Sequence, residues 1–173
     1  MGVRIALLVL TGFASAWAWA ALRLSGAAPG LIVIPLALSL GLLLFGWRGA
    51  GLVPARGAHV GKVVGLWSAI EVAALLVTAN VLQSIQRGDL MLPIGAIIVG
   101  LHFFPLARGI PFRLYHATGA GLVCAGLAGL LLPAADRPMA VGMAAATVLW
   151  ATALAVVLRT WHPAATPRGP AGS

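Results

Sequence analysis

The sequence predicts an all-α fold, a bundle of six transmembrane helices in one domain. The 173 residues are 61% hydrophobic and only 8% charged, with a mean hydropathy of +1.05. A soluble domain carries about 25% charged residues, and a domain of this length cannot hide so large an apolar excess in a single core. Lipid must therefore surround most of the chain. Long runs of Leu, Ala and Val without in–out alternation favour helices over a barrel.

Six apolar runs are each close to the roughly 20 residues that a helix needs to cross the hydrocarbon layer. They are predicted at residues 5–24, 31–47, 63–84, 91–106, 114–132 and 139–158. The fourth run is short, and its two prolines, Pro93 and Pro105, lie near its ends, where a lost hydrogen bond costs least. The transmembrane domain is predicted to cover residues 1–160. Residues 161–173 are rich in Pro, Gly and Ala, so we expect a disordered cytoplasmic tail.

The first run has a second interpretation. Arg4, the apolar run and the small residues of Ala14-Ser15-Ala16 resemble a signal peptide with a cleavage site. Arg23 closes a run that is long enough to span the membrane, and this favours a retained helix over a cleaved leader.

Basic residues divide unequally between the two ends of the predicted bundle. One end holds Arg4, Arg48, Arg56, Lys62, Arg108, Arg113, Arg159 and Arg168, and the other holds Arg23, Arg87 and Arg137. An excess of Lys and Arg marks the cytoplasmic side, so both termini are predicted to be cytoplasmic. The basic residues stand singly at the ends of apolar runs and form no stripe, so we expect a lipid partner and no nucleic acid.

Glu71 and His102 are the strongly titratable side chains predicted well inside the hydrocarbon layer. Charge is expensive there, so an ionisable residue indicates a functional site. At 1.5 Å per residue, Glu71 lies about 13 Å in from Lys62 and His102 about 9 Å in from Arg108. Because the third and fourth helices are antiparallel neighbours, we expect the two side chains to meet in the cytoplasmic half of the membrane.

Other polar residues extend this candidate site. Some share a face of the third helix with Glu71, one lies on the opposite face nearer the outside, and others gather where the fourth and fifth helices meet the cytoplasm. The binding or proton-relay candidates are therefore Glu71, His102, Asn80, Arg108, Arg113, His116, Ser68 and Thr78. Since the third helix is polar on two sides, we expect it to be central in the bundle.

A Glu–His pair in a cavity can take and release a proton. A buried carboxyl must be neutral or paired, and histidine titrates near neutral pH. The leading hypothesis is therefore a carrier of a small solute or of protons, with Glu71 and His102 as the titrating pair. The same pair could instead be a static contact between two helices. The alternative function is a non-transporting membrane protein that assembles with another protein, and a homo-oligomer with its site at the interface fits as well as a site within one chain.

Other chemistry has weaker support in the sequence. Haem ligation by His102 and His116, or zinc ligation by these residues with Glu71, lacks any further signal, so no cofactor and no metal are predicted. No Ser-His-Asp arrangement suits nucleophilic catalysis, because Asp89 and Asp136 lie on the far side of the membrane. The chain is predicted not to be an enzyme. Its single cysteine supports no disulfide framework.

The fourth helix ends in Gly100-Leu101-His102-Phe103-Phe104-Pro105-Leu106-Ala107-Arg108. With a Glu in the preceding helix, this segment resembles uncharacterised small bacterial integral membrane proteins that carry a Gly-Leu-His-Phe-X-Pro-Leu-Ala segment. The resemblance covers the middle third of the chain. It brings no known activity, but it implies that Glu71, Asn80, His102 and Pro105 form the site and that the protein lies in the bacterial inner membrane.

Overall fold

The computed structural model describes residues 3–49, 58–109 and 114–161, and it is all-helical there apart from short turns. The six helices are α1 (Val3–Leu24), α2 (Val33–Gly49), α3 (Ala58–Ser84), α4 (Met91–Gly109), α5 (Leu114–Leu131) and α6 (Arg137–Trp161). Single 3₁₀ turns, Pro29–Ile32 and Gly88–Leu90, lead into α2 and α4. All six helices are long and apolar enough to cross a membrane, which confirms the predicted fold class.

The helices extend past several predicted boundaries. α3 begins at Ala58, before the apolar run itself, and α4 continues through Pro105 to Gly109. Trp161, predicted to open the tail, is the last residue of α6, and its ring stacks on Phe45 of α2 at 5.0 Å. Residues 162–173, the remainder of the predicted tail, lie outside the described residues. Boundaries move outward because helices run beyond the hydrocarbon layer, whereas hydropathy reports only the apolar part.

Five of the helices form the packed body of the protein. The largest interfaces join α4 to α5 and α1 to α6, while α5 and α2 also pack against α6. The buried face of α1, including Leu7, Ala14 and Ala18, meets buried α6 residues such as Ala145 and Leu149 in one apolar core. The first helix is thus an integral part of the core in this structure.

The closest approaches between helices occur at glycines. Lipid tails provide no hydrophobic drive for association, so helices in a membrane associate by close packing at small residues. A Cβ built on Gly100 of α4 would lie 2.8 Å from the backbone oxygen of Gly119 in α5. A Cβ on Gly126 of α5 would lie 2.5 Å from the backbone oxygen of Pro93 of α4, further along the same interface. A Cβ on Gly121 of α5 would instead lie 3.2 Å from the Val148 side chain of α6. Backbone contact between α4 and α5 therefore fixes the face that α4 presents to α3.

A buried hydroxyl on α2 joins it to two other helices. Ser39 Oγ of α2 donates to the Thr11 oxygen of α1 at 3.1 Å and accepts hydrogen bonds from Ser15 Oγ at 2.7 Å and from Trp150 Nε1 of α6 at 2.8 Å. The indole N–H of Trp150, in the middle of α6, thus has a polar partner. Inside a membrane the indole N–H has no water with which to form a hydrogen bond. The shared hydroxyl therefore holds α2 against α1 and α6.

The prediction that the third helix is central is wrong. Among the described helices, α3 packs extensively against α4 alone, and most of its apolar side chains lie on the outer surface of the bundle. The outward residues include Leu66, Ile70, Val77 and Val81. In lipid both the packed and the unpacked faces of a helix are apolar, so a polar residue on each side of α3 did not indicate its place in the bundle.

Side-chain contacts identify the two ends of the bundle. The Arg4 guanidinium lies 4.9 Å from the ring centre of Trp47, so the start of α1 meets the end of α2. At the other end Asp89, just before α4, pairs with Arg137 at the start of α6 and with Arg87. The end that holds Arg4, Arg48, Arg108 and Arg159 is called the basic end below, and the end that holds Arg23, Arg87, Asp89, Asp136 and Arg137 is called the mixed end.

Candidate functional site

The side chains of Glu71 and His102 meet between α3 and α4. His102 Nε2 lies 3.4 Å from Glu71 Oε2, and the two side chains are only 8% and 9% exposed. Glu71 is the middle residue of α3, and its neighbours Ile70 and Val72 point to the outer surface while its own side chain turns towards α4. The antiparallel pairing of α3 and α4 brings the two residues to the same depth, as the spacing from Lys62 and Arg108 predicted.

The imidazole of His102 is held by its neighbours but is not saturated with hydrogen bonds. Its ring lies edge-on to Phe103, with 6.2 Å between centroids, and the Trp67 carbonyl lies close to it. Its buried Nδ1 has no partner of hydrogen-bonding geometry among the described residues. Buried polar atoms nearly always have a partner, and the backbone acceptor that faces the imidazole is the Trp67 carbonyl.

The pair opens into a cavity of about 300 Å³ in the basic-end half of the bundle. Five helices contribute to its walls. The lining residues are Ala6, Val9, Leu10 and Phe13 of α1; Val64, Ser68, Glu71 and Val72 of α3; Val99, His102, Phe103 and Leu106 of α4; Tyr115 of α5; and Leu149 of α6. Its volume is at the lower limit of ordinary small-molecule sites, and an apolar wall with a few polar groups is typical of them.

The cavity faces the surrounding membrane between α1 and α3. These two helices have no extensive contact with each other among the described elements. Lining residues at the outer surface, Val9 and Phe13 of α1 and Val72 of α3, are exposed, whereas Phe103 and Leu149 on the inner side are buried. The mouth is therefore lateral, and its apolar rim lies within the segments that are long enough to span the membrane.

The structure gathers only part of the predicted site around the pair. Ser68 lines the cavity one turn before Glu71. Thr78 is half-buried and lies outside the cavity lining, and Asn80 is exposed and donates from Nδ2 to the Leu76 oxygen of its own helix at 2.8 Å. A residue four positions back along a helix is the usual partner for such a side chain, so Asn80 contributes nothing to the cavity.

The two described candidates at the basic end, Arg108 of α4 and His116 of α5, are also separate from the cavity lining. Arg108 is exposed at the end of α4. His116 is exposed, and its ring packs against Phe104 at 5.9 Å. Arg113 lies outside the described residues. Of the eight candidates predicted from the sequence, those that line the cavity in the described part of the chain are therefore Glu71, His102 and Ser68.

Aromatic residues form a part of the site that the sequence did not indicate. Phe13, Phe103 and Tyr115 come from three different helices and line the same cavity, with the Phe103 and Tyr115 rings 5.6 Å apart. Tyr115 is the single tyrosine of the chain and lies at the start of an apolar run, which was the one signal available. The involvement of α1 depends on helix packing, which the sequence pattern does not record.

Metal-ligating residues do not cluster in the described ranges. No three His, Cys, Asp or Glu side chains there lie close enough together to hold a metal ion. His116 in particular does not join His102 and Glu71 in the cavity lining. The arrangement at the site is one carboxyl and one imidazole in an apolar cavity, which suits proton exchange and polar recognition.

No protein-family model, curated protein or solved structure matches this chain. The assignment of a function therefore depends on the geometry of the Glu71–His102 site.

Proposed function

We propose that this protein is a proton-linked carrier for a small solute, in which Glu71 and His102 exchange a proton as solute enters or leaves the cavity. The observation that carries the proposal is that the pair borders an open cavity of about 300 Å³. A pair serving only to hold α3 on α4 would need no such space beside it. An ionisable pair deep in a membrane protein is costly and is usually kept for function.

The geometry of the pair also supports exchange over static bonding. Charge-assisted hydrogen bonds are usually 2.7–2.9 Å long, and Glu71 Oε2 is 3.4 Å from His102 Nε2. Groups that transfer protons are often loosely placed until their ligand is bound. The imidazole has two ring nitrogens, so it can hold a proton at Nδ1 while Nε2 faces Glu71.

The cell location follows as part of the same proposal. We place the protein in the bacterial inner membrane with the basic end, and so both termini, in the cytoplasm. The supports are the distribution of Lys and Arg and the resemblance of the Gly100–Arg108 segment. In this orientation the cavity lies in the cytoplasmic half of the bilayer.

Transport into liposomes tests this function. The protein is reconstituted in vesicles that contain a pH-sensitive dye, and proton movement is recorded after a pH step with the membrane potential clamped. Glu71→Gln should abolish protein-dependent flux while leaving the folded protein abundant. Thr147→Ala, which changes an exposed side chain bonded to its own helix, should retain the flux. Loss of Glu71→Gln from the membrane would instead identify the pair as a structural contact.

A second candidate function is a non-transporting membrane protein that assembles with another protein. The observation that favours it is the outward apolar face of α3, a helix with one extensive packing partner among the described elements. Small bundles can use such a face for a partner helix or for a second copy of the chain. Recovery of a partner in stoichiometric amount after mild solubilisation, with no flux in liposomes, would favour this function over the carrier.

A further inference from the structure

We infer that the substrate of this carrier is a lipophilic cation, with an apolar body and one positive charge, that enters the cavity sideways from the membrane between α1 and α3. This inference rests on the proposed carrier function and names the class of molecule that the same site would bind. It follows from the lining of the cavity, the charge within it and the position of its mouth.

The apolar body of the substrate is indicated by the walls. Ten of the fourteen lining residues are aliphatic or phenylalanine, and the polar ones are Ser68, Glu71, His102 and Tyr115. A small or strongly hydrated solute would lose its water in such a cavity with few hydrogen bonds in return. A molecule with a large apolar surface would gain free energy by filling it.

The positive charge is indicated by the balance of charges at the site. Glu71 is the one carboxyl in the lining, and neither Lys nor Arg lines the cavity in the described part of the chain. Net charge is costly inside a membrane, so the carboxylate is stable with one positive charge beside it, from a proton or from a cation. Binding one cation and releasing one proton leaves the charge of the site unchanged, which is the exchange that a proton-linked carrier performs.

The aromatic residues favour a cation over an anion. Phe13, Phe103 and Tyr115 approach the cavity from α1, α4 and α5. Aromatic faces carry negative electrostatic potential and bind cations, with quaternary ammonium groups as the best-known ligands of such cages. An anionic substrate would meet these faces and Glu71 with repulsion.

The lateral route is indicated by the rim. Val9, Phe13 and Val72 are lining residues that are also exposed at the outer surface. They lie within α1 and α3 at membrane depth, so a molecule dissolved in the lipid reaches Glu71 without crossing the basic end.

Phenyltrimethylammonium and its neutral isostere tert-butylbenzene test the substrate class, because they share a shape and differ in charge. The protein in lipid nanodiscs, weakly buffered, is mixed with each probe, and released protons are measured with a pH dye while thermal unfolding reports binding. Empty nanodiscs correct for partition into lipid. The cation should raise the unfolding temperature and release about one proton per protein chain, whereas the isostere should release none.

The pH dependence gives a second readout of the same exchange. Among the described lining residues, the titratable groups that face Glu71 are His102 from α4 and Tyr115 from α5, and neither α1 nor α6 contributes one. Since the cation and the proton compete for one carboxylate, affinity for phenyltrimethylammonium should rise with pH through the titration of the pair. Affinity for tert-butylbenzene should not change.

Two variants connect the binding to named residues. Glu71→Gln should weaken cation binding on the order of tenfold or more and abolish proton release, since a charged partner is lost from a desolvated site. Phe13→Leu removes an aromatic face at the exposed rim and should weaken cation binding several-fold without affecting the isostere. This second variant keeps the test decisive if Glu71→Gln does not fold.

The outcomes separate the substrate class from the carrier function. No binding of the cation, or equal stabilisation by the isostere without proton release, would overturn the lipophilic-cation inference, even if Glu71-dependent proton flux in liposomes upheld the carrier. Cation binding with proton release but no proton flux in liposomes, with phenyltrimethylammonium supplied on one side, would uphold the site and contradict the carrier function.

Discussion

His102 Nε2 of α4 lies 3.4 Å from Glu71 Oε2 of α3, and α4 is the one helix of the described chain on which α3 packs extensively. The proposed proton-exchanging pair is therefore also a polar contact between α3 and the body of the bundle. A change in the protonation of this pair acts on the interface that positions α3. Because α3 forms one side of the cavity mouth, proton exchange and access to the cavity share a structural element.

A double-mutant cycle should detect the pair as an interaction. Glu71→Gln, His102→Gln and the double variant are compared by unfolding in detergent micelles. We expect a coupling free energy of about 1 kcal/mol, since side-chain hydrogen bonds between membrane helices average about 0.6 and reach about 1.7 kcal/mol. Strictly additive effects of the two single variants would show that the residues do not interact in the folded protein.

Gly100 should tolerate no side chain, because α4 and α5 meet there by their backbones. A Cβ at this position would lie 2.8 Å from the Gly119 oxygen and from the Val123 nitrogen. Gly100→Ala is expected to cost about 1–3 kcal/mol through overpacking, measured by thermal unfolding in micelles. Gly41→Ala is the matched control, since a Cβ there meets nothing within 4 Å, and it should be neutral or slightly stabilising. Equal stability of the two variants would contradict the close approach.

Ser39 should be needed for the attachment of α2. Ser39→Ala removes the hydroxyl shared by Ser15, Trp150 and the Thr11 oxygen. We expect a loss of about 1–2 kcal/mol because the partly buried Trp150 N–H loses its acceptor. Ser84→Ala, which breaks a bond within one exposed helix end, is the control and should have little effect. A loss confined to Ser84→Ala would be inconsistent with the three-helix contact.

Chemical labelling should place the basic end in the cytoplasm. In a Cys124→Ala background, Arg87→Cys marks the mixed end and Arg159→Cys marks the basic end. A membrane-impermeant maleimide applied to spheroplasts should label the Arg87→Cys protein, and it should label the Arg159→Cys protein only after lysis. The basis is the excess of Lys and Arg at the basic end, and the reverse labelling pattern would refute this orientation.

Sequence alone sufficed for the helices and for the central pair. Hydropathy located all six spans because lipid makes both faces of each helix apolar. The contact between Glu71 and His102 could be predicted because adjacent antiparallel helices put residues of equal depth side by side. Both predictions depend on local sequence and chain order alone.

Contacts between distant helices could not be predicted in this way. Ser39 and Trp150 are far apart in the chain, and nothing in either run marks them as partners. The entry of Phe13 into the site depends on how α1 is rotated about its axis, and in an all-apolar helix the sequence does not encode that rotation. The same lack of contrast between the faces of α3 led to its incorrect central placement.

Nuclear magnetic resonance of the Glu71 carboxyl carbon tests the central claim most directly. Glu71 is the only glutamate in the chain, so glutamate labelled with ¹³C at Cδ gives one side-chain carboxyl signal from the protein in lipid bilayers. We predict that this signal titrates reversibly within the pH range of the folded protein and that its midpoint moves in His102→Gln. A carboxyl signal that stays fixed at every pH at which the protein is folded, or that titrates identically without His102, would contradict a proton-exchanging Glu71–His102 pair.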